Sequence, residues 1–274
     1  MAGFHPSPRW GQHFLVDQAV RDIIIDNATI KKEDTVVEIG VGRGILTEVL
    51  VQKAGRVIGW EIDQELYRLI QEKLKGYSNL TIYREDFLST DLSFLSSFSP
   101  IKLVSNIPYA ISSPLLSKLL ESGLNWDLVI LMVQREFGEK ILQEKGSPLA
   151  VGVHLFYKVE KIREVSPGSF SPSPSVHSLI LRLTPSSPID LSAYREIMYW
   201  IRLLFSQRRK KIEKLLRPLW GKEKTQAILA QAHINPEWRA EDLVVKQWVA
   251  LVSQLRGEAG TIHQEDERRI PLKG

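Results

Sequence analysis

The chain has 274 residues, enough for one large α/β domain and a smaller second domain. Hydrophobic residues make up 43% and charged residues 25%, typical of a globular protein, and the formal net charge of +4 is a mild indication of a polyanionic partner. The absence of cysteine excludes disulfides, thiolate nucleophiles and zinc–cysteine sites, and no apolar run approaches the ~20 residues that a membrane span requires.

The first predicted elements are an irregular arm and a helix. Residues 1–15 contain two prolines and end in Q-H-F-L. Asp17 is a typical helix N-cap, and the apolar residues after it follow a helical spacing as far as Ala28. His13 is the only residue of the arm with obvious chemistry, and taken alone it is better explained as a polar loop residue.

A glycine turn follows in the sequence T-V-V-E-I-G-V-G-R-G-I-L-T, residues 35–47. An apolar run predicts a buried strand as far as Glu38, and the glycines at positions 40, 42 and 44 predict a tight turn that opens a helix over residues 45–53. A turn without Cβ atoms lets the backbone approach a ligand closely, and a helix N-terminus offers free N–H groups. The alternative is a turn that only lets the helix pack on the sheet.

The second predicted strand, residues 56–60, ends directly before Glu61. An acid at this place, about 20 residues after the glycines, is where a ribose diol is bound in nucleotide-binding folds. The glycine spacing is G-x-G-x-G rather than the G-x-G-x-x-G of pyrophosphate binders. This difference favours S-adenosylmethionine, which has a ribose but no phosphate, over a dinucleotide.

A third strand, residues 80–83, comes after a helix predicted over residues 63–74 and is followed at once by E-D-F. The carboxylate of Asp86 therefore lies at the carboxyl edge of the sheet, where open α/β sheets bind ligands. There it can accept a hydrogen bond from an adenine amino group. A carboxylate that merely caps a turn is an equally good explanation of this feature alone.

The most specific stretch is N-I-P-Y, residues 106–109, at the end of a fourth strand. The Asn106 side-chain oxygen and the carbonyl that precedes Pro108 can both accept hydrogen bonds from an exocyclic amine. The ring of Tyr109 offers a face on which a displaced base can stack, and we expect the ring rather than the hydroxyl to matter. These are the requirements for methylating an amino nitrogen. The alternative is a turn closed by a packing tyrosine.

The remainder of the first domain is predicted as alternating elements. The pattern indicates helices over residues 113–120 and 134–143 and strands over residues 127–133, 149–157, 159–165 and 179–183. Between the last two strands, S-P-G-S-F-S-P-S-P-S-V-H-S, residues 166–178, has too many prolines for a helix or a central strand. Phe170 in this loop is either a plug packed on the core or an exposed platform for a base.

A composition break at P-S-S-P, residues 185–188, marks the predicted boundary between a domain over residues 1–185 and a helical domain over residues 186–260. An apolar helix over residues 194–205 leads into S-Q-R-R-K-K. Residues 192–222 carry nine Lys or Arg against two acids, which favours a phosphate-binding face over a merely solvated one. Residues 261–274 are predicted to be a flexible tail.

These motifs together resemble one family, the ribosomal RNA adenine-N6 dimethyltransferases, and within it the bacterial small-subunit branch associated with kasugamycin sensitivity. The resemblance spans roughly residues 8–256. It rests on a series of motifs that occur in order: G-Q-H-F-L (11–15), E-I-G-V-G-R-G-I-L-T (38–47), E-I-D (61–63), E-D-F (85–87), N-I-P-Y (106–109), Q-R-E-F (134–137), F-S-P-S-P-S-V-H-S (170–178) and L-F-S-Q-R-R-K-K (204–211).

The resemblance implies a Rossmann-like S-adenosylmethionine-dependent methyltransferase domain with a smaller all-helical C-terminal domain. It implies dimethylation of two adjacent adenosines near the 3′ end of 16S (small-subunit) rRNA, with S-adenosylhomocysteine as product and no metal. The implied partner is small-subunit rRNA within an assembling 30S subunit, and the protein is expected to be a cytoplasmic monomer without a membrane partner. The alternative within the family is a 23S rRNA methylase of the macrolide-resistance type.

The site residues carried over from the family fall into three groups. Those implied for the cofactor are His13, Leu15, Gly40, Gly42, Glu61, Ile62, Asp86, Phe87 and Asn106. Those implied for the target base and the chemistry are Asn106, Pro108, Tyr109 and Phe170. Those implied for RNA binding are Arg208, Arg209, Lys210 and Lys211. Two residues depart from the family pattern: His13 replaces the commoner Asn, and His177 lies where many relatives have Asp.

Two hypotheses from other classes remain at this point. The glycine turn and Glu61 also suit a nicotinamide-dependent oxidoreductase, but the glycine spacing, N-I-P-Y and the basic helical domain oppose it. A non-catalytic RNA-binding module on the same fold is opposed by the intact Glu61, Asp86 and Asn106.

Overall fold

A computed structural model describes residues 13–186 and 190–258 of the chain. Residues 1–12 of the arm predicted over residues 1–15, part of the predicted domain break and the tail predicted over residues 261–274 lie outside these ranges. The described residues form two compact units. The first contains the residues as far as Leu142 together with Tyr157–Ser186, and the second contains Gln143–Phe156 together with the residues from position 190 onward.

The strands of the first unit build a large sheet and a small ribbon. In chain order they are β1 (Phe14–Leu15), β2 (Thr35–Ile39), β3 (Arg56–Trp60), β4 (Leu80–Tyr83), β5 (Ile101–Asn106), β6 (Leu128–Gln134), β7 (Tyr157–Val165), β8 (Phe170–Ser171) and β9 (Ser178–Pro185). Strands β1 and β8 pair antiparallel as the ribbon. The other seven form one sheet in the order β4-β3-β2-β5-β6-β9-β7.

The order of this sheet defines where a ligand can bind. Strands β4, β3, β2, β5 and β6 are parallel, and β9 and β7 extend the sheet antiparallel beside β6. The chain crosses from β2 outward to β3 and β4 and then returns to β5, so the order reverses between β2 and β5. A crevice opens at such a switch point outside the carboxyl ends of the strands. The predicted Rossmann-like sheet is confirmed.

The helices of the first unit follow the strands and cover the faces of the sheet. They are α1 (Gln18–Ala28), α2 (Thr47–Lys53), α3 (Gln64–Lys73), α4 (Ser112–Glu121) and α5 (Arg135–Ile141). The Asp17 and Asp63 side chains accept hydrogen bonds from the first backbone N–H groups of α1 and α3, so both residues cap these helices, as predicted for Asp17. The parallel strands between the helix layers are almost continuously apolar and buried.

The described part of the second unit is helical. It contains α6 (Pro148–Phe156), α7 (Leu191–Phe205), α8 (Ile212–Gln231) and α9 (Val245–Glu258), and α8 is interrupted by a kink at Gly221. The fully buried Trp248 of α9 stacks on Phe205 of α7, with ring centroids 5.9 Å apart. No helix within the described ranges of either unit is long and apolar enough to cross a membrane.

The prediction of a strand over residues 149–157 is wrong, because this segment is α6 and packs in the second unit. Its sequence P-L-A-V-G-V-H-L-F is apolar on nearly every side, and five of its residues are buried: Ala150, Val151, Gly152, Val153 and Leu155. A short apolar run of this kind has no distinguishing period, so its pattern fits a buried strand and a buried helix equally.

Candidate active site

A cavity of about 770 Å³ lies at the carboxyl ends of β2, β3, β5 and β6. Its volume is within the range of sites that bind small molecules. The wall combines the residues implied for a cofactor with those implied for a target base: His13, Gly40, Gly42, Glu61, Ile62, Asp86, Phe87, Asn106, Pro108 and Tyr109. The structure therefore brings together ten of the residues that the sequence singles out on separate grounds.

The glycine turn fits closely against the other walls. Gly40 and Gly42 both have positive φ angles, 72° and 58°, which residues with a Cβ rarely adopt. A Cβ on Gly40 would lie 3.3 Å from the Pro108 ring, and one on Gly42 would lie 3.3 Å from the Phe14 ring. Glycine at these positions thus keeps room beside Pro108 and Phe14, two residues of the cavity wall.

Glu61 is fixed by the backbone around it. One oxygen of its carboxylate accepts a hydrogen bond from the Gly42 N–H at 2.8 Å, and the other accepts one from the Asp63 N–H at 2.9 Å. The residue is only 4% exposed, and burial raises the pKa of its carboxyl group. Each carboxylate oxygen has a further lone pair, so the group can also accept hydrogen bonds from two neighbouring hydroxyls of a ligand.

A second buried acid, Glu38, stands behind the glycine turn. Its carboxyl oxygen accepts a hydrogen bond from the Thr47 hydroxyl at 2.7 Å, which links the end of β2 to the first turn of α2 across the glycines. Burial, assisted by the nearby Glu61 carboxylate, raises the pKa of Glu38 to about 8. Glu38 is therefore mostly neutral at pH 7, and its bond to Thr47 fixes the two ends of the turn.

The wall near Asp86 suits a flat heterocycle. Asp86 is exposed; one of its carboxylate oxygens accepts a hydrogen bond from the Leu88 N–H at 2.9 Å, which leaves the other available to a ligand. Phe87 is buried and packs edge-on against Trp60, with ring centroids 5.2 Å apart. Ile62 is 44% exposed although it is apolar. An acceptor in the same wall as apolar side chains suits an adenine ring with its amino group.

The opposite wall is N-I-P-Y. Asn106 is the last residue of β5, and Pro108 leads into a short 3-10 turn, Tyr109–Ile111. No hydrogen bond to the Asn106 side chain is present among the described residues, so its amide oxygen is available in the cavity. The Tyr109 ring is half-buried, and its hydroxyl forms a hydrogen bond of 2.7 Å with the hydroxyl of Ser178.

His13 links this wall to the loop over residues 166–178. Its Nδ1 lies 2.8 Å from the Pro172 carbonyl oxygen, so Nδ1 carries the proton that is donated. Its ring is tilted by 30° to the Tyr109 ring at a centroid distance of 5.8 Å. The histidine therefore lines the cavity beside N-I-P-Y and is not a free loop residue.

Two predicted site residues are not part of the cavity wall. Leu15 is 3% exposed and Phe170 is 4% exposed, and both belong to the apolar core of the first unit. The cause is the β1–β8 ribbon, which pairs Leu15 with Phe170 and directs both side chains inward. Of the two alternatives for Phe170, this structure has the plug packed on the core, and the ring does not face the cavity.

Several residues of the cavity were not predicted from the sequence, among them Gln134 and Trp60. Gln134, the last residue of β6, lines the cavity near Asn106 and Tyr109, and its amide has no hydrogen bond within the described ranges. The buried Nε1 of Trp60 likewise has no partner there. Gln134 could have been predicted, because it is a polar residue at the carboxyl end of a buried strand, a signal similar to the one that identifies Asp86. The packing of Trp60 against Phe87 has no such local signal.

The basic run lies in the second unit, between α7 and α8. Arg208, Arg209 and Lys210 are exposed and form no ion pair with any described residue. Lys211 differs, because its ammonium group is hydrogen-bonded to Glu237. Three of the four predicted RNA-binding residues are thus available to phosphates, whereas the fourth already has a partner.

The order of the sheet and the cavity at its switch point place the chain among the Rossmann-like methyltransferases. The sequence model of the ribosomal RNA adenine dimethylase family matches residues 3–256, and the chain belongs to this family, as its motifs predict.

The relatives support this membership over most of the chain. The chain is 36% identical to the ribosomal RNA small subunit methyltransferase A of Clostridium botulinum (strain Loch Maree / Type A3), over 87% of this chain and 90% of that protein. It is 33% identical to the protein of the same name from Persephonella marina, over 93% of this chain and 95% of that protein.

Two solved structures share the fold at a useful level of sequence identity. A dimethyladenosine transferase from Plasmodium falciparum superposes with a TM-score of 0.77 at 28% identity, over 90% of this chain and 98% of that one. The 23S rRNA methyltransferase ErmE superposes with a TM-score of 0.72 at 26% identity, over 89% of this chain and 99% of that one.

Proposed function

We propose that this protein transfers methyl groups from S-adenosylmethionine to the N6 amino groups of two adjacent adenosines near the 3′ end of small-subunit rRNA. The observation that carries the proposal is the single cavity in which Glu61 and Asp86 face the same space as Asn106 and Tyr109. A nucleoside donor and an extruded base can occupy such a cavity together, which is the geometry that base methylation needs.

The residues of the wall fit the donor. The Glu61 carboxylate suits the ribose diol, and the free Asp86 oxygen suits the adenine amino group, with Ile62 and Phe87 against the ring faces. The positive φ angles at Gly40 and Gly42 keep the space beside Pro108 and Phe14 open for the methionine end. S-adenosylmethionine supplies an electrophilic methyl group on its sulfonium; the chain has to orient the acceptor.

The chain orients the acceptor through N-I-P-Y. The Asn106 side-chain oxygen and the Ile107 carbonyl accept hydrogen bonds from the target amine, which rotates its lone pair out of conjugation with the ring. The Tyr109 ring supports the extruded base by stacking. The two hydrogen bonds strengthen as the nitrogen pyramidalises, so they act on the rate of transfer more than on ground-state binding. The role of contacting the base, assigned to Phe170 from the sequence, falls to other residues of this wall.

We assign catalysis to the first unit and RNA binding to the second. The exposed Arg208, Arg209 and Lys210 would contact phosphates of the rRNA in an assembling 30S subunit and position it without reading its sequence. We expect the protein to act as a monomer. A cytoplasmic location follows from this substrate.

The relatives named as small-subunit enzymes favour this substrate over 23S rRNA. ErmE, a 23S rRNA methyltransferase, shares the fold but is less similar in sequence, at 26% identity. The test is methylation of purified ribosomal subunits with a labelled donor. Label in immature small subunits supports the proposal, and label only in large-subunit RNA contradicts it.

A further inference from the structure

The hydroxyl of Tyr109 has a defined partner, although the sequence suggests that only its ring is needed. The Tyr109 and Ser178 hydroxyl oxygens are 2.7 Å apart, and Ser178 is completely buried. Ser178 is the last residue of the proline-rich loop over residues 166–178 and the first residue of β9. The bond therefore joins N-I-P-Y to a strand that is distant in sequence.

The backbone of Ser178 cannot easily move. It pairs with Gln134 of β6 on one side and with Val165 of β7 on the other, so it lies inside the sheet rather than in the mobile part of a loop. Tyr109 comes from the turn after β5, two strands away, roughly 10 Å across the sheet. The Tyr109 side chain consequently extends over the end of β6, and its tip is anchored on β9.

The surroundings of the Tyr109 hydroxyl favour a single arrangement. Partial burial raises the pKa of Tyr109, so its hydroxyl keeps its proton and can donate as well as accept. If the ring rotated away, the buried Ser178 hydroxyl would lose its partner, which is costly for a buried polar group. The ring is therefore held in one orientation before any base arrives, which saves the entropy of ordering it later.

We propose that Ser178 is a positioning residue for methyl transfer: its buried hydroxyl fixes the Tyr109 ring as the wall on which the target base stacks. The inference rests on the proposed function, since it assigns Ser178 a role in that same site. It predicts an effect on the transfer of methyl groups to RNA but none on the binding of the donor, because Ser178 does not line the cavity.

The test is a double-mutant cycle with Ser178→Ala, Tyr109→Phe and the combined variant. Each single variant should lower kcat/KM for methylation of immature small subunits by about fivefold to tenfold, as expected for one lost hydrogen bond. The combined variant should be no slower than the slower single variant, because both remove the same bond. The dissociation constant for S-adenosylmethionine, from calorimetry, should stay within about twofold of the wild type in all three.

Two further variants serve as controls. Ser178→Thr keeps the hydroxyl and should restore most of the activity. Thr225→Ala removes an equally buried hydroxyl from the second unit and should leave methyl transfer unchanged. Circular dichroism establishes that each variant is folded. If Ser178→Ala does not fold, the other two variants still test the role of Ser178. Tyr109→Phe should then be slow in methyl transfer, and Ser178→Thr should be active.

Wild-type activity on its own tests the proposed function and is measured first. Given an active wild type, three results would overturn the role of Ser178: a folded Ser178→Ala with wild-type kcat/KM, losses that add in the double variant, or an equal loss of donor affinity.

Discussion

The Glu61 carboxylate accepts a hydrogen bond from the backbone N–H of Gly42, 19 residues earlier in the chain, at 2.8 Å. The acid of the second motif thus holds the glycine turn of the first, and both line the same cavity. A mutation of Glu61 therefore removes two interactions, one with the ligand and one with the turn.

Replacing Glu61 should weaken donor binding. Glu61→Ala loses charge-assisted hydrogen bonds to the ribose and also releases the Gly42 N–H, so the affinity for S-adenosylmethionine should fall at least about tenfold by calorimetry. Glu61→Gln keeps one oxygen and should be intermediate. Glu72→Ala, at an exposed position of α3, is the control and should bind normally. Unchanged affinity in Glu61→Ala would remove the residue from the site.

Replacing Asn106 should affect chemistry more than binding. Its amide oxygen is available in the cavity, and its bond to the target amine matters most in the transition state. Asn106→Ala should lower the single-turnover rate of methyl transfer by about 100-fold or more, while donor affinity falls much less. Single-turnover kinetics and calorimetry on the same preparation give the two quantities. Equal losses in both would assign Asn106 to the cofactor alone.

Glu38 should make the stability of the fold depend on pH. Its pKa is raised from 4.5 to about 8 in the folded chain, so the folded state holds a proton that the unfolded state has released. This contribution to the free energy of unfolding is fully present below pH 4.5 and is lost as the pH rises through 8.

Glu38→Gln, a neutral isostere, should remove this part of the pH dependence. The free energy of unfolding of the wild type, from urea titrations between pH 5 and pH 9, should fall relative to that of Glu38→Gln as the pH rises. Thr47→Val, which removes the hydroxyl but not the carboxyl group, should keep the wild-type trend. Parallel curves for wild type and Glu38→Gln would show that Glu38 titrates normally.

Much of this architecture could be predicted because its signals are local. The glycine turn, the acids after β3 and β4 and the cap Asp17 lie next to the elements they define. Alternation of strands and helices then places Glu61, Asp86 and Asn106 at one edge of the sheet.

The features that the sequence did not predict depend on pairing between distant segments. Phe170 is a core plug only because its ribbon pairs with β1, and residues 166–178 carry no period that shows which way the ring points. Likewise, Ser178 is a neighbour of Tyr109 only because β9 inserts beside β6. Helix α6, predicted as a strand, is a third case. Its uniformly apolar sequence has no period from which the conformation can be predicted, so tertiary packing determines it.

The basic run should govern the salt dependence of RNA binding. Arg208→Glu combined with Arg209→Glu removes two exposed cations, so binding to small subunits should weaken, and the slope of log affinity against log salt should become shallower. Donor affinity should not change. Lys53→Glu combined with Lys145→Glu changes the net charge equally at exposed positions elsewhere and should have a smaller effect. An unchanged slope would mean that the run is a solvated face and that RNA binds at another surface.

The proposed activity is tested most directly by incubating the purified protein with labelled S-adenosylmethionine and immature small subunits and then mapping the modified nucleotides by mass spectrometry. We expect two adjacent N6,N6-dimethyladenosines near the 3′ end of the small-subunit rRNA, and loss of both in Asn106→Ala. Methylation confined to large-subunit rRNA, or donor binding without methylation of any ribosomal RNA, would contradict it.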